Sequence, residues 1–574
     1  MIKNIKYTDY DGVYVRCTEN ETVLGFKTEP QRLRAQLILE NELSKGNADF
    51  TIEQKPVFDL CGPMLDVSRG AVMTPEAVCG FMEKCARMGF NMFMLYTEDV
   101  YKMPEYPMFG YMRGGYTEEQ LKRIDDFAYN LGIEVIPCIQ TLGHLSQYLH
   151  WGEVPSDVSG VLLAGDDKVY EFIETEIKTM RRAFRSNRIH IGMDEAEGLG
   201  RGKYLEKNGY RKCHDIFNEH LARVLEITRK YNYEPIIWSD MYFSGNDLSA
   251  YYDEDGEILQ SVIDSAPENV TLMFWDYYHK NYDYYHKKLL QQERFKNNES
   301  AFAGGVWTWD AFLPNFKYTL ETMRPGLEAA IDHGVKICLA TVWSGTGLET
   351  DVNAGLAALS VFSEYCYRGK ACTESDIYEI AEKIGGENRE LIEAISDFWC
   401  GCDGAVRIGT ALIYCDLLID TLCYDVDYND VIARYKKSLS VIEKYRDNEN
   451  YLYYKSLFEA ALGKAELLSR LRNAYITNDR EYLSFAANSA LLKLRKTYDL
   501  LYNEYKRIWE KSYMPFGYEK VHMRFGGLDR RMQNTAEIIS GYLEGKREKI
   551  DELECERVSG INVTWKTAPF YTKG

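Results

Sequence analysis

The chain has 574 residues, 45% of them hydrophobic and 27% charged, with a formal net charge of −20 at pH 7. That length exceeds what one core can hold, so two or three domains are expected. The composition is that of a folded globular chain, and the acidic balance argues against nucleic acid and anionic membranes as partners. No apolar run is long enough to span a bilayer. Met1 to Lys6 lead into polar residues without the apolar segment of a signal peptide. The 14 cysteines are scattered, and Cys61, Cys138 and Cys338 lie in apolar runs, which reads as the reduced core residues of a cytoplasmic protein. Cys400 and Cys402 have no second pair at zinc spacing, so no metal site is expected there.

Residues 1–54 read as a small α+β unit. Alternating residues over 7–26, broken at Asp11-Gly12 and Glu19-Asn20, suggest one or two hairpins, and 30–45 reads as an amphipathic helix. A packing cap is the expected role. Over 55–370 the pattern alternates strand and helix. Strands are expected at 57–67, 91–97, 133–140, 188–194, 234–240, 271–277, 301–307 and 336–343. Helices follow at 75–88, 117–131, 168–184 and 214–231, with Pro75 and Thr117-Glu118-Glu119 as helix starts. Eight such units predict an α/β fold, a (β/α)8 TIM barrel. A doubly wound open sheet is the alternative, but the first strand is not followed by a glycine-rich phosphate loop. From 371 to 574 the periodicity is helical, with expected helices at 376–384, 388–400, 410–421, 428–446, 451–472, 480–514 and 527–545. Its tyrosines, as in Tyr451-Leu452-Tyr453-Tyr454, suit a buried helix face, and 558–573 reads as a short strand. This segment would either mediate a homodimer or shape a pocket entrance.

The centre of the chain is Arg188-Ile189-His190-Ile191-Gly192-Met193-Asp194-Glu195, an alternating strand ending in two carboxylates. His190, Gly192 and Asp194 would share one face, with Glu195 at the turn outward. A barrel keeps its reactive groups at the C-terminal ends of its strands. The other expected strands end in Asp66-Val67-Ser68-Arg69, Thr97-Glu98-Asp99, Gly143-His144, Trp238-Ser239-Asp240, Trp275-Asp276-Tyr277-Tyr278, Trp307-Thr308-Trp309-Asp310 and Trp343-Ser344-Gly345, with Glu349 beyond. Five of nine tryptophans therefore fall at the ends of strands five to eight. Sugar rings offer apolar C–H faces to aromatic walls and hydroxyl edges to Arg, Asp and Glu, so a glycosidase is the reading from residue chemistry. Taken alone, an Asp-Glu pair is more often a solvated loop.

His190-x-Gly192-x-Asp194-Glu195 resembles the signature of the β-N-acetylhexosaminidases of glycoside hydrolase family 20. Asp66-Val67-Ser68-Arg69 with Asn91, the run from Gly132 to Pro137 followed by Gly143-His144, and the tryptophans ending strands five and eight are similar too. The resemblance spans most of 57–365 and leaves the C-terminal third uncovered. It implies that Asp194 orients the substrate's 2-acetamido group, whose carbonyl oxygen attacks the anomeric carbon. Glu195 then starts protonated, donates to the leaving oxygen and later activates water. This is substrate-assisted retention, outside the scheme in which the enzyme supplies the nucleophile. Arg69 would hold the 3- and 4-hydroxyls, and Glu349 the 4- or 6-hydroxyl. Trp238, Trp275 and Trp343 would wall the pocket, and Trp307 and Trp309 would line it or the leaving-group side. Tyr277 would bond the acetamido oxygen, with Tyr278 as its competitor in register. His144 would tune Glu195, and His190 would be structural. No cofactor is implied.

The departures are Tyr96-Thr97-Glu98-Asp99, where the family has His-x-x-Asp-Asp, Gln140-Thr141-Leu142 in the third loop, and Trp343-Ser344-Gly345-Thr346-Gly347 before Glu349. Asp99 stays a candidate for the pocket network. These departures bear on hydroxyl specificity and fit a divergent cytoplasmic branch acting on short oligosaccharides. Two alternatives stay open: a barrel glycosidase for a modified or non-acetylated sugar, and a non-catalytic carbohydrate-binding relic.

Overall fold

The computed structural model describes residues 5–245, 248–309, 311–344, 350–400, 407–420 and 426–557. They form two compact units: residues 1–306, 319–343 and 356–385 make the first, and 307–318, 344–355 and 386–574 the second. The division differs from the expected 1–54, 55–370 and 371–574. The N-terminal sheet belongs with the barrel, and the stretches after the last two barrel strands belong with the helices. Side chains explain the second point. Tyr453 donates to the Phe312 carbonyl at 3.0 Å and Tyr513 to Asp351 at 2.8 Å, tying both stretches to helical partners far along the chain.

In the first unit, β1 (Ile5–Asp9), β2 (Val13–Cys17), β3 (Thr22–Phe26) and β4 (Phe50–Gln54) form a sheet in the order β1-β3-β2-β4. The hairpin at Glu19-Asn20 is present, since β2 and β3 pair antiparallel. Asp11-Gly12 makes no hairpin: β1 pairs parallel with β3. β4 already occupies the other edge of β2, so β1 can join only at the outer edge of β3. The helix Glu29–Ser44 covers this sheet and carries Arg34 inward.

The barrel closes from β5 (Leu60–Asp66) through β6 (Met92–Tyr96), β7 (Glu134–Cys138), β8 (Arg188–His190), β9 (Glu234–Trp238), β10 (Thr271–Trp275) and β11 (Ser300–Gly305) to β12 (Ile337–Val342), which pairs with β5. All eight strands run parallel. β6 and β12 are buried along their whole length, as expected for strands covered on both faces. The helix Glu118–Asn130 starts where expected: Thr117 Oγ1 accepts the Gln120 N–H at 3.2 Å, and Gln120 Oε1 accepts the Thr117 N–H at 2.9 Å.

β8 is three residues long, far shorter than 188–194. Its ladder runs on past its end: Ile191 N–H donates to Ile236 and Trp238 N–H to the Gly192 carbonyl. The backbone leaves the extended region because Gly192, Met193 and Glu195 have φ of 69°, 74° and 44°. Strand alternation therefore does not assign faces beyond Ile191. Gly192 suits this turn, since a Cβ there would sit 2.2 Å from Gln140 Oε1.

The second unit is helical, with long helices at Tyr428–Ile442, Tyr451–Ile476, Leu491–Ser512 and Tyr518–Leu543. The expected helix 480–514 is instead Arg480–Phe485, a π-helical turn at Ala486–Ala490, and Leu491–Ser512. Its tyrosines are core residues whose hydroxyls reach carbonyls, as Tyr435 does to Phe398 at 2.9 Å and Tyr498 to Ile413 at 2.7 Å. Residues 558–573 lie outside the described residues.

Candidate active site

The polar groups gather at the C-terminal ends of β5 to β10 and β12. Asp194 is buried: Gln140 Nε2 donates to its Oδ1 at 2.8 Å, and His144 Nε2 pairs with it as a cation 3.1 Å from Oδ2. Burial works against its charge, but protonated His144 and then Gln140 outweigh burial and hold its carboxyl below the usual range. The same pairing, also against burial, holds the His144 imidazole well above the ordinary histidine range. His144 Nε2 lies 3.4 Å from Glu195 Oε2 as well, so one cation faces both carboxylates. Glu195, with a third of its side chain exposed, is the member of the pair open to solvent.

Asp240, at the end of β9, pins the Glu195 backbone. Its Oδ2 accepts the Glu195 N–H at 2.9 Å, and its Oδ1 lies 3.4 Å from the Trp275 indole nitrogen. Burial pushes the Asp240 carboxyl up to about 8, with the charge of Asp194 adding to it. A left-handed Glu195 is thus held in place by a side chain from the next strand.

Arg69 stands across the mouth of β5. Its Nε lies 3.5 Å from Asp66 and its Nη2 3.4 Å from Glu98, with its guanidinium 5.7 Å from the Trp343 ring centre. Burial opposes its charge, and Glu98, Tyr96 and Asp66 more than restore it. Burial likewise pushes Glu98 up, with Arg69 and His144 opposing. Gln140 Nε2 also donates to the Tyr96 hydroxyl at 3.0 Å, which donates to Glu98 at 3.0 Å. One chain of hydrogen bonds therefore links Asp194 to the partner of Arg69. Asp99 lies behind this chain, paired with Arg113 at 3.0 Å.

The aromatic side is built on β9, β10 and β12. Trp343 packs edge-on against Tyr96 at 4.8 Å and lies 6.4 Å from Trp238. Trp275 stacks with Tyr277 at 5.3 Å and 23°. Tyr277 is enclosed, whereas Tyr278 is exposed. Trp238 is almost wholly buried against His190, 4.3 Å away, and backs Trp343 instead of forming an open wall. His190 is the expected structural histidine: burial pushes it down to about 3, and its Nδ1 accepts the Gly192 N–H at 3.1 Å.

Two expected pocket-lining residues, Trp307 and Trp309, belong to the second unit. Trp307 is fully buried in the core of the second unit, stacked on Trp309 at 4.2 Å and edge-on to Tyr318 at 4.7 Å. A ring covered in this way has no face for a sugar. Glu349 lies outside the described residues.

Glu98, Gln140 and Asp240 were missed as functional candidates by sequence reasoning. The signal for them is simple. Tyr96 and Glu98, Cys138 and Gln140, and Trp238 and Asp240 are pairs in which the second residue lies two past the last strand residue, on the same side. Tyr277 stands in the same relation to Trp275. At β8 the rule fails, because the backbone turns left-handed over Gly192 and Met193.

Fold and site together define a (β/α)8 barrel with a paired-carboxylate pocket, an arginine opposite and aromatic rings at its side. Residues 62–293 match the catalytic domain of glycosyl hydrolase family 20, and 409–565 match the glycoside hydrolase 20C C-terminal domain. The chain belongs to glycoside hydrolase family 20. It is 27% identical over 276 residues to a beta-hexosaminidase of Porphyromonas gingivalis, covering 41% of this chain and 35% of that protein. It is 24% identical over 264 residues to a probable beta-hexosaminidase of Arthroderma benhamiae, covering 40% of each. The chain thus spans well under half the length of these two relatives. Among solved structures it resembles the GH20 exo beta-N-acetylglucosaminidase of Vibrio harveyi in complex with N-acetylglucosamine, with a TM-score of 0.51 and 14% identity over 68% of each chain. At that identity the likeness speaks for the fold.

Proposed function

We propose that the protein is an exo-acting, retaining β-N-acetylhexosaminidase that removes terminal β-linked GlcNAc, with GalNAc as a second substrate, through the 2-acetamido group. The observation that carries this reading is the unequal treatment of two adjacent carboxylates. Asp194 is enclosed, hydrogen-bonded by Gln140, ion-paired with His144, and kept charged. Glu195 is open to solvent and, among the described residues, held through its backbone and His144. A fixed anion suits the acetamido N–H, polarising its carbonyl oxygen for attack and stabilising the oxazolinium that forms. An accessible carboxyl suits proton transfer to the leaving oxygen and then from water. Tyr277, kept neutral by burial, donates to the acetamido oxygen, and Arg69 binds sugar hydroxyls with donors its carboxylate partners leave loosely engaged.

The test is hydrolysis of nitrophenyl glycosides of β-GlcNAc, β-GalNAc and β-glucose. The wild type is expected to cleave the N-acetyl sugars only. Glu195→Gln is expected to lose roughly 10²–10⁴ in kcat, and Asp194→Asn to lose activity toward the same substrates. Cleavage of the glucoside at a similar rate would replace this mechanism with another two-carboxylate one. Sugar binding without turnover would point to a carbohydrate-binding protein.

A further inference from the structure

Lys288 is a buried cation that no step of the proposed reaction uses. It lies on the helix Tyr282–Gln292 that follows β10, with its side chain wholly enclosed. Among the described residues its Nζ has one hydrogen-bond acceptor, the Asp253 carbonyl at 2.6 Å, and no carboxylate at ion-pair distance. Its other surroundings are aromatic: the ring centres of Phe243, Tyr284 and Tyr251 lie 5.0, 5.5 and 6.0 Å away. Burial pushes its ammonium down to about 8, with Asp253 and Asp276 opposing. Ring faces attract a cation but recover only part of the hydration that burial removes. A methionine would fill the same space without that cost.

What the ammonium touches leads toward Glu195 along two lines. Phe243 belongs to the helix Asp240–Ser244, which starts at the carboxylate that accepts the Glu195 N–H. Tyr251 and Asp253 belong to the stretch that leads from β9 to β10. The Tyr251 hydroxyl donates to the Trp275 carbonyl and accepts the Trp275 N–H at 3.2 Å, and its ring lies 4.7 Å from the Trp275 ring. Trp275 in turn has its indole nitrogen 3.4 Å from Asp240 Oδ1 and its ring stacked on Tyr277. Phe243 and Tyr251 meet edge-on at 5.6 Å and 79°, so the ammonium sits where both lines begin.

We propose that Lys288 is a positioning residue of the active site: it holds the stretch after β9 against the barrel, so that Tyr251 fixes Trp275, and Trp275 with Asp240 fixes the pocket's aromatic side and the Glu195 backbone. The inference rests on the hexosaminidase reading, in which that aromatic side meets the sugar and Glu195 transfers the proton. The other ties on this stretch are weaker. The Tyr284 hydroxyl reaches the Tyr251 carbonyl at 3.4 Å, and Lys287 pairs at the surface with Glu254 and Asp255 at 3.1 and 2.7 Å. A charged hydrogen bond inside the protein is stronger than either. The cation therefore costs stability where it sits, and what it supplies is a fixed place for Tyr251.

The experiment compares the wild type with Lys288→Met, Tyr251→Phe and the double variant in kcat and KM for nitrophenyl β-GlcNAc, in the Kd of N-acetylglucosamine and in melting temperature. Lys288→Met is expected to keep or raise the melting temperature, because it removes a buried charge. It is also expected to raise KM and Kd roughly three- to tenfold, with a smaller fall in kcat because Asp240 still holds the Glu195 N–H. Tyr251→Phe should raise KM and Kd by a similar factor. The double variant should be no worse than the poorer single one, since both act through Trp275. Unchanged KM and Kd in Lys288→Met, a variant that fails to fold, or losses that multiply in the double variant each overturn the proposal and leave the hexosaminidase reading intact. A wild type that binds the sugar without turnover overturns that reading and leaves Kd to decide on Lys288. One that neither cleaves nor binds overturns both.

Discussion

Arg34 and Arg69 are both arginines turned toward carboxylates inside the first unit, and they are held in opposite ways. Arg34 is fully buried and closed on every side. It bonds Glu364 through two nitrogens at 2.8 and 3.0 Å, Gln54 at 2.8 Å and the Met88 carbonyl at 2.9 Å, with the Tyr367 ring at 4.2 Å. Arg69 keeps 22% of its side chain exposed and stands 3.4–3.5 Å from its carboxylates. The first arginine clamps the helix of the N-terminal sheet to the helix Leu356–Arg368 that follows the barrel. The second has its charge balanced while its fork of donors remains loosely used. A buried cation whose bonds are complete is structural; one whose charge is matched but whose bonds are slack is poised for a ligand.

That contrast can be broken by substitution. The largest effect is expected at the clamp. Arg34→Ala leaves Glu364 buried with only Arg368, 2.9 Å away, as its charge partner, and should cost about 3–5 kcal/mol in urea unfolding. Turnover per folded molecule should stay near wild type. Arg69→Ala should do the reverse, lowering kcat/KM by roughly 10–100-fold, the worth of charged hydrogen bonds at about 1.5–3 kcal/mol. Its stability loss is limited because Glu98, already pushed up by burial, takes a proton once Arg69 is gone. If both variants lose stability alone, Arg69 is a second clamp and the comparison fails.

Smaller effects sharpen the comparison through pH. His144 is the cation that holds Asp194 low. His144→Phe should therefore raise the acid limb of the kcat/KM profile, since Asp194 would protonate at higher pH; an unmoved limb would remove His144 from that role. Asp240 works in the other direction. Its carboxyl titrates at about 8 in the folded chain against a reference of 3.8, so the folded state holds a proton that the unfolded state has lost. Its contribution to stability is complete below 3.8 and is lost as pH rises through about 8. Asp240→Asn should flatten the decline of melting temperature between pH 5 and 8 and remove an inflection near pH 8 from the activity profile. That inflection belongs to Asp194 and Asp240 together. Its persistence in the variant would place the titration on another group.

Much of the site was legible because barrel strands end where their residues alternate. Asp194, Glu195, Arg69 and Trp275 were found by reading strand ends, and Glu98, Gln140 and Asp240 were open to the same rule carried two residues further. Trp307 and Trp309 misled because a tryptophan at a strand end looks the same whether it faces a ligand or a core. Their partner Tyr318 and the enclosing Trp399, 6.0 Å from Trp307, come from other parts of the second unit. The hairpin expected at Asp11-Gly12 misled for a related reason, since a turn signal is local and the occupied edge of β2 is not.

By itself, then, the amino-acid sequence determined the alternation of strand and helix that closes the barrel, and the placing of an Asp-Glu pair and an arginine at its strand ends. Both follow from the two-residue period of a strand and the 3.6-residue period of a helix, which act over a few positions. Only the tertiary structure decided that Glu195 turns left-handed onto Asp240 and that Gln140 joins Asp194 to the partner of Arg69. It alone paired Arg34 with a carboxylate 330 residues away and assigned 307–318 and 344–355 to the helical unit. Those outcomes depend on which surfaces meet when the barrel closes, and burial in that closed interior then fixes which groups hold their protons.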